Sequence, residues 1–108
     1  MLKRFKRIFY RGFDDKEISY NELNNMVIMD GALLIDVRSI QEYNEGHLEG
    51  AINIPVYDLK NNIYMLPNIN EEIIVYCASG HRSRQAKKIL ENYGYTNVYN
   101  LKNGLDGI

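Results

Sequence analysis

Four short apolar segments, separated by helix signals, constrain the fold of this chain more than any other feature. They are residues 32–37, 51–54, 73–76 and 97–101. The first and third are apolar on both faces and too short for a buried helix, as is typical of strands in a parallel sheet covered by helices. Residues 57–70 are less regular, with a predicted helical turn at 58–62. Strands alternating with helices at this spacing predict right-handed crossovers, a mostly parallel sheet and the α/β class.

Capping signals mark the predicted helices. Ser19 with Glu22, and Ser39 with Glu42, have the spacing of capping boxes, in which each side chain satisfies a free backbone N–H of the first turn. A third helix is predicted for residues 83–93, where apolar side chains recur at helical spacing. Glycines close the three helices: Gly31, Gly46 and Gly94.

The length and composition limit the class of protein. A chain of 108 residues, 45% hydrophobic and 25% charged, is the size and balance of one globular domain. It has no apolar stretch near the roughly 20 residues that span a bilayer. Cys77 is the only cysteine, which excludes an internal disulfide, and with only two histidines a Cys-based zinc site is not expected.

Charge divides the chain into a predicted basic, amphipathic arm at 1–15 and a domain at 16–108. Five of the thirteen basic residues lie in the first eleven positions, and the other 97 residues carry eight basic and fourteen acidic side chains. That acidic body argues against nucleic-acid binding. Two interpretations of the arm stand equally: residues 1–14 contact a membrane surface or a protein partner, or they form a solvated tail. The arm lacks the apolar core of a secretory signal, so we expect a cytoplasmic protein.

The segment that follows the third apolar run carries the candidate chemistry. Cys77 stands at the carboxyl end of that predicted strand, where parallel sheets bind ligands. A short loop containing Gly80 follows, and its backbone N–H groups can form a concave anion site. The next helix adds its free N–H groups and the positive end of its dipole. Arg82 is predicted at the rim of this loop, with further positive charge from His81 and Arg84.

These surroundings predict an ionised and exposed Cys77 thiol. A free cysteine has a pKa of about 8.5 and is only about 3% thiolate at pH 7. Lowering the pKa by about 2 units takes about 2.7 kcal/mol, which a helix dipole and direct N–H bonds can supply. The alternative is that Cys77 is a buried apolar side chain, and the loop and helix start favour the nucleophile. His81 is expected to be exposed rather than a general base.

Two motifs, in order, resemble those of the single-domain rhodaneses, a family of sulfurtransferases. The first comprises residues 34–38, 42–43 and 46–55, and the second is the loop at 75–83. The resemblance covers about residues 18–105. It implies a five-stranded, mostly parallel sheet with helices on both faces, Cys77 as the nucleophile and a persulfide intermediate. It also implies a small anionic sulfur donor such as thiosulfate, a thiol or cyanide acceptor, and no cofactor or metal. The residues implied to bind substrate are Ala78, Ser79, Gly80, His81, Arg82 and Ser83.

Two other function classes remain as alternatives to this enzyme. One is a sulfur carrier or regulatory binding module with little turnover. The other is a phosphatase or arsenate reductase of related fold, because dual-specificity phosphatases have a similar loop with five residues between cysteine and arginine. Four residues separate Cys77 from Arg82 here, and one residue spans up to about 3.5 Å, so the smaller ring is expected to suit sulfur better than phosphate.

The remaining motif residues are interpreted as structural. Asp36 and Arg38 are expected to support the loop by hydrogen bonds, Arg38 to pair with Glu42, and His47 to bond to backbone. At the end of the chain, the family's Gly-Gly and later Trp are replaced by Asn103-Gly104 and no Trp. This departure predicts a shortened C-terminal helix that affects one edge of the core and not the loop.

Overall fold

A computed structural model describes residues 16–66 and 68–108, so the predicted arm at 1–15 lies outside the described residues. Its five strands form one sheet in which every pairing is parallel, in the order β1-β5-β4-β2-β3. They are β1 (Glu17–Ile18), β2 (Leu33–Asp36), β3 (Ile52–Asn53), β4 (Ile73–Tyr76) and β5 (Val98–Leu101). The predicted α/β class, with a five-stranded parallel sheet, is confirmed.

Within the residues that the structure describes, three α-helices and a long 3₁₀ segment join the strands, and a second 3₁₀ turn follows β5. They are α1 (Tyr20–Asp30), α2 (Ile40–Glu45), α3 (His81–Asn92), a long 3₁₀ segment (Val56–Met65) and a C-terminal 3₁₀ turn (Leu105–Gly107). The helix predicted from residue 83 therefore begins two residues earlier. The helical repeat of apolar side chains, which predicted this helix, starts only at Ala86. The residue that caps the helix is Gly80, which has no side chain to form a recognisable capping hydrogen bond. The predicted turn at 58–62 is part of the longer 3₁₀ segment.

The two capping boxes form as predicted. The Ser19 hydroxyl accepts the N–H of Glu22 at 3.1 Å, while the Glu22 carboxylate accepts the N–H of Ser19 at 2.9 Å. Ser39 and Glu42 repeat the arrangement at the start of α2, at 3.2 and 3.1 Å. Because these contacts span only three residues, the local sequence is sufficient to set where α1 and α2 begin.

Strand β1 is the element that the sequence analysis missed. The carbonyl of Ile18, the residue just before the predicted capping box, accepts the N–H of Lys102 at 2.9 Å. Two residues earlier on each segment, the carbonyl of Lys16 accepts the N–H of Asn100 at 2.8 Å. Two residues are too few to show a strand period, so only pairing with β5 identifies them.

The core lies on both faces of the sheet. On one face, α3 and the long 3₁₀ segment pack against side chains such as Ile35, Val75 and Val98. On the other face, α1 and α2 pack against side chains that include Leu34 and Ile74. Helices therefore cover both faces, as expected, and no helix within the described ranges is long and apolar enough to cross a bilayer. The carboxyl end of β4, at the centre of the sheet, leads directly into Cys77.

Candidate active site

The sulfur of Cys77 lies at the base of the loop that joins β4 to α3. It accepts the N–H of Gly80 at 3.1 Å and the N–H of Ser83 at 3.4 Å. The Ser83 hydroxyl lies 3.3 Å from the same sulfur and 3.1 Å from the carbonyl oxygen of Gly80. It accepts from the protonated thiol while donating to that carbonyl, and it lowers the pKa of Cys77 by turning its single proton to the ionised sulfur. The loop thus closes around Sγ with hydrogen-bond donors, as an anion site does.

The expectation of an exposed thiol was wrong, because Cys77 is only 1% exposed. The loop folds over the side chain to bring its N–H groups within reach of the sulfur. The opposite interpretation, a buried apolar side chain at a strand end, is correct in that Cys77 packs within the apolar core on the α3 face of the sheet, but it does not account for the polar contacts of the sulfur. Three polar groups surround Sγ, and apolar burial alone supplies none.

These contacts act on the protonation of the thiol in opposite directions. Burial raises the pKa of Cys77. The Ser83 hydroxyl and the backbone N–H groups of Ser83, Gly80 and Ser79 lower it, and together they outweigh the burial, so that the pKa lies below its ordinary value. The thiolate is therefore favoured by hydrogen bonds rather than by exposure to water.

The other loop residues form the rim above the sulfur. Ala78 is half-buried and Ser79 is exposed, while His81 is exposed at the first position of α3, as expected for a residue that is not a base. Gly80 has φ +109°, which favours glycine, and a Cβ there would lie 3.3 Å from the guanidinium of Arg84. The N–H groups of His81 and Arg82 belong to the first turn of α3, where no intrahelical acceptor exists. They are available to an anion at the positive end of the helix dipole.

Glu42 holds the arginine at this rim. Arg82 donates to the two carboxylate oxygens of Glu42 at 2.6 and 3.0 Å. Mainly because of these bonds, the pKa of Glu42 is lowered to about 2, and the pKa of Arg82 is raised. The sequence predicts for Glu42 only the capping box and a pair with Arg38. The three-residue spacing between Ser39 and Glu42 already explains a glutamate at this position. Nothing in the sequence therefore indicated that Glu42 also binds Arg82.

The predicted pair between Arg38 and Glu42 was wrong. Arg38 instead donates to Asp36 at 2.7 Å and to the carbonyl of Gly46 at 2.6 Å. Asp36 and Arg38 are two positions apart in extended chain, where alternate side chains share a face. The buried pair therefore ties the end of β2 to the end of α2, while Glu42 makes the direct contact with the loop.

His47 occupies the structural position that was predicted for it. Its Nδ1 lies 2.9 Å from the carbonyl oxygen of Tyr43, and its ring stacks on the Tyr43 ring at 3.7 Å. Within residues 16–66 and 68–108, no three His, Cys, Asp or Glu side chains converge as metal ligands.

The C-terminal 3₁₀ turn contacts the loop, contrary to the expectation that the end of the chain concerns only an edge of the core. The N–H of Leu105 donates to the carbonyl of Cys77 at 3.0 Å, and that of Asp106 donates to the carbonyl of Ala78 at 2.8 Å. Asn103 has φ +63°, a conformation that asparagine tolerates better than most residues. Residues 105 and 106 therefore contact the loop through two backbone N–H groups.

A family model described as the Rhodanese-like domain matches residues 19–108. This range contains strands β2 to β5 and the Cys77 loop. The chain belongs to the rhodanese-like family. The resemblance noted in the two sequence motifs is thereby confirmed over most of the domain.

The relatives of this rhodanese-like chain are named for different activities. It is 46% identical over 67 residues to the thiosulfate sulfurtransferase PspE of Escherichia coli (strain K12), covering 61% of this chain and 64% of that protein. It is 32% identical over 93 residues to a tRNA uridine(34) hydroxylase of Buchnera aphidicola, covering 82% of this chain and 30% of that protein. The chain thus spans less than two thirds of each of these proteins.

A solved structure of similar size agrees with the rhodanese-like fold. The human single-domain sulfurtransferase TSTD1 superposes with a TM-score of 0.73 at 30% identity, over 82% of this chain and 89% of that one. The relatives with sulfurtransferase names and this structure support a sulfurtransferase assignment at the level of the family.

Proposed function

We propose that this rhodanese-like domain is a sulfurtransferase that moves a sulfane sulfur from a small anionic donor to a thiol or cyanide acceptor. The observation that carries the proposal is the hydrogen bonding of Cys77 Sγ, which accepts two backbone N–H groups inside a closed loop. Such an arrangement favours the thiolate, the form of cysteine that attacks sulfur. The sulfurtransferase name of one relative supports the same chemistry.

In the first half-reaction, the Cys77 thiolate attacks the outer sulfur of thiosulfate. A Cys77 S–S bond forms, the S–S bond of the donor breaks, and its electron pair leaves with sulfite. The total charge is unchanged, because a persulfide anion and sulfite replace the thiolate and thiosulfate. The N–H groups of residues 78–82 are the proposed donors to both the persulfide and the departing anion.

In the second half-reaction, the acceptor attacks the terminal sulfur of the persulfide. Cyanide gives thiocyanate and a thiol gives a new persulfide, and in both cases the electron pair of the broken S–S bond returns to Cys77 as thiolate. Cys77 is the only cysteine in the chain, so no second thiol of the same chain resolves the persulfide. The acceptor therefore comes from outside the chain.

The test is the mass of the intact protein after incubation with thiosulfate, followed by thiocyanate formation when cyanide is added. We expect one added sulfur atom that cyanide removes, and no addition in Cys77→Ser. Asn25→Ala, which changes an exposed side chain of α1 outside the loop, serves as the folded control. Full turnover in Cys77→Ser, or no sulfur loaded from thiosulfate or a small-molecule persulfide, would contradict the proposal.

A sulfur-carrier or regulatory role is the second candidate, and the burial of Cys77 together with the pairing of Arg82 favours it. A small dianionic donor such as thiosulfate meets Arg82 at the rim, and the positive charge of Arg82 is already partly balanced by Glu42. This balance weakens the attraction of the site for a free donor. Persulfide formation with negligible turnover for every small acceptor would support this role over the enzyme. A phosphatase of related fold would instead hydrolyse aryl phosphates, for which the four-residue spacing from Cys77 to Arg82 predicts no activity.

The basic arm at 1–15 is proposed as a separate contact for a membrane surface or a partner in the cytoplasm. The family model matches residues 19–108, so none of the matched residues lies in the arm. Deleting residues 1–14 is expected to change localisation and to leave sulfur transfer intact. Loss of the transfer activity in the folded deletion variant would show instead that the arm belongs to the site.

A further inference from the structure

We infer that the C-terminal turn, residues 103–106, orients the first two peptide groups of the loop that closes over the sulfur of Cys77, and that Gly104 is a positioning residue for the thiolate. This inference deepens the proposed function and rests on it for its catalytic meaning. It is carried by backbone contacts between the turn and the loop.

The two hydrogen bonds from the turn reach consecutive carbonyl groups. The carbonyl of Cys77 is held by the N–H of Leu105 at 3.0 Å, and the carbonyl of Ala78 by the N–H of Asp106 at 2.8 Å. The turn therefore fixes the direction of two adjacent peptide groups at the start of the loop.

Peptide planarity transmits this direction to the sulfur side of the loop. Each peptide bond in the described part of the chain is trans, so a carbonyl and the N–H of the following residue point in opposite directions. Holding the carbonyl of Cys77 toward the turn directs the N–H of Ala78 away from the turn. Holding the carbonyl of Ala78 does the same for the N–H of Ser79. The N–H of Ser79 is one of the groups that lower the pKa of Cys77, which agrees with this direction.

Gly104 permits the close approach that these bonds require. A Cβ built on Gly104 would lie 2.4 Å from the carbonyl oxygen of Cys77 and 2.5 Å from that of Ala78. These neighbours are backbone atoms of the loop itself, so a side chain can be accommodated only by moving the loop or the turn. Gly104 also has φ +60°, which is unfavourable for most other residues.

Gly94 offers a matched control. It has φ +95°, so an alanine there introduces comparable backbone strain, but no atom lies within 4 Å of its Cβ position. Any effect of Gly104→Ala beyond that of Gly94→Ala therefore reports the contact with the loop.

The experiment measures the rate of iodoacetamide alkylation of Cys77 across a pH series, with thermal unfolding of each variant. We expect Gly104→Ala to move the midpoint of the profile to higher pH. The rate at pH 7, divided by the plateau rate of the same variant at high pH so that changed access to the sulfur cancels, should fall by about threefold or more, since fewer thiols are ionised. Gly94→Ala is expected to keep the midpoint of the original protein.

Leu105→Pro provides a second variant in case Gly104→Ala fails to fold. Proline is acceptable at the first position of the 3₁₀ turn, but it removes the N–H that binds the carbonyl of Cys77. We expect the same shift of the alkylation profile. An unchanged profile in the folded variants, or a failure of both variants to fold, would overturn the inference, because the turn would then serve stability alone.

Alkylation needs no sulfur donor, so this test is independent of the proposed function. If Gly104→Ala shifts the profile but the original protein never loads sulfur, the positioning role stands and the proposed function fails. If sulfur loads normally and the profile does not shift, the positioning role fails and the proposed function stands.

Discussion

The guanidinium of Arg82 and the carboxylate of Glu42 form a two-bond ion pair, at 2.6 and 3.0 Å, between the first turn of α3 and helix α2. The same carboxylate accepts the N–H of Ser39 at 3.1 Å as part of the capping box. Glu42 therefore fixes the start of one helix and the cation at the rim of the Cys77 loop. The charge that a donor anion encounters depends on both members of this pair.

Substituting the two members of the pair should move donor affinity in opposite directions. Arg82→Gln removes the rim cation, and we expect the KM for thiosulfate to rise about tenfold, the worth of one charge-assisted hydrogen bond. Glu42→Gln preserves the capping geometry while removing the competing negative charge, so the KM should fall. Steady-state thiocyanate formation measures both values. An equal rise in KM in both variants would mean that Glu42 acts by placing Arg82 and not by opposing its charge.

Glu42 should also contribute to stability in a pH-dependent way. Its pKa is about 2 in the folded protein against an ordinary 4.5, so its stabilisation is complete above about pH 4.5 and is lost as the pH falls toward 2. Because both side chains are about one-third exposed, at 38% and 34%, the effect should remain below about 1 kcal/mol. Urea unfolding of the original protein and Glu42→Gln at pH 7 and pH 3 measures it. The gap between the two proteins should narrow at pH 3, and a constant gap would contradict the prediction.

Ser83→Ala should raise the pKa of Cys77. The substitution removes the hydroxyl 3.3 Å from Sγ, one of the hydrogen-bonding groups that hold the pKa of this thiol below its ordinary value. Alkylation at pH 7 should slow by about tenfold, and its pH profile should shift upward. Ser79→Ala is the matched control, because that side chain is exposed and its backbone N–H is retained. Equal profiles for the two variants would show that the Ser83 hydroxyl does not stabilise the thiolate.

Asp36→Ala should destabilise the fold more than loss of a surface ion pair does. Asp36 is fully buried against Arg38, and its removal leaves a buried guanidinium without its carboxylate, at a cost of about 3–5 kcal/mol. Glu91→Ala removes one ion pair with Lys87 on α3, a pair of the i,i+4 type that is worth at most about 0.5 kcal/mol. The midpoints of urea unfolding compare the two variants. Similar midpoints would show that the Asp36–Arg38 pair is not required for the fold.

The sequence by itself determined the elements whose signals are local. Ser19 and Ser39 mark helix starts through partners three residues away, so α1 and α2 were predicted at their observed first residues. The buried run at 73–76 and the small residues after it placed Cys77 at the end of a strand, in a loop of N–H donors. The family motifs then added the five-stranded parallel sheet.

Only the tertiary structure decided which distant groups meet. From the sequence, Glu42 was predicted to pair with Arg38, but its partner Arg82 lies 40 positions away because the sheet brings α2 and the start of α3 together. Similarly, β1 exists only through pairing with β5, and the turn at Gly104 reaches the carbonyl of Cys77 across the end of the sheet. The burial of Cys77 was missed because exposure depends on how the loop closes over the side chain. Capping and strand burial follow from neighbours along the chain, whereas ion pairs and close backbone contacts follow from the relative placement of whole elements.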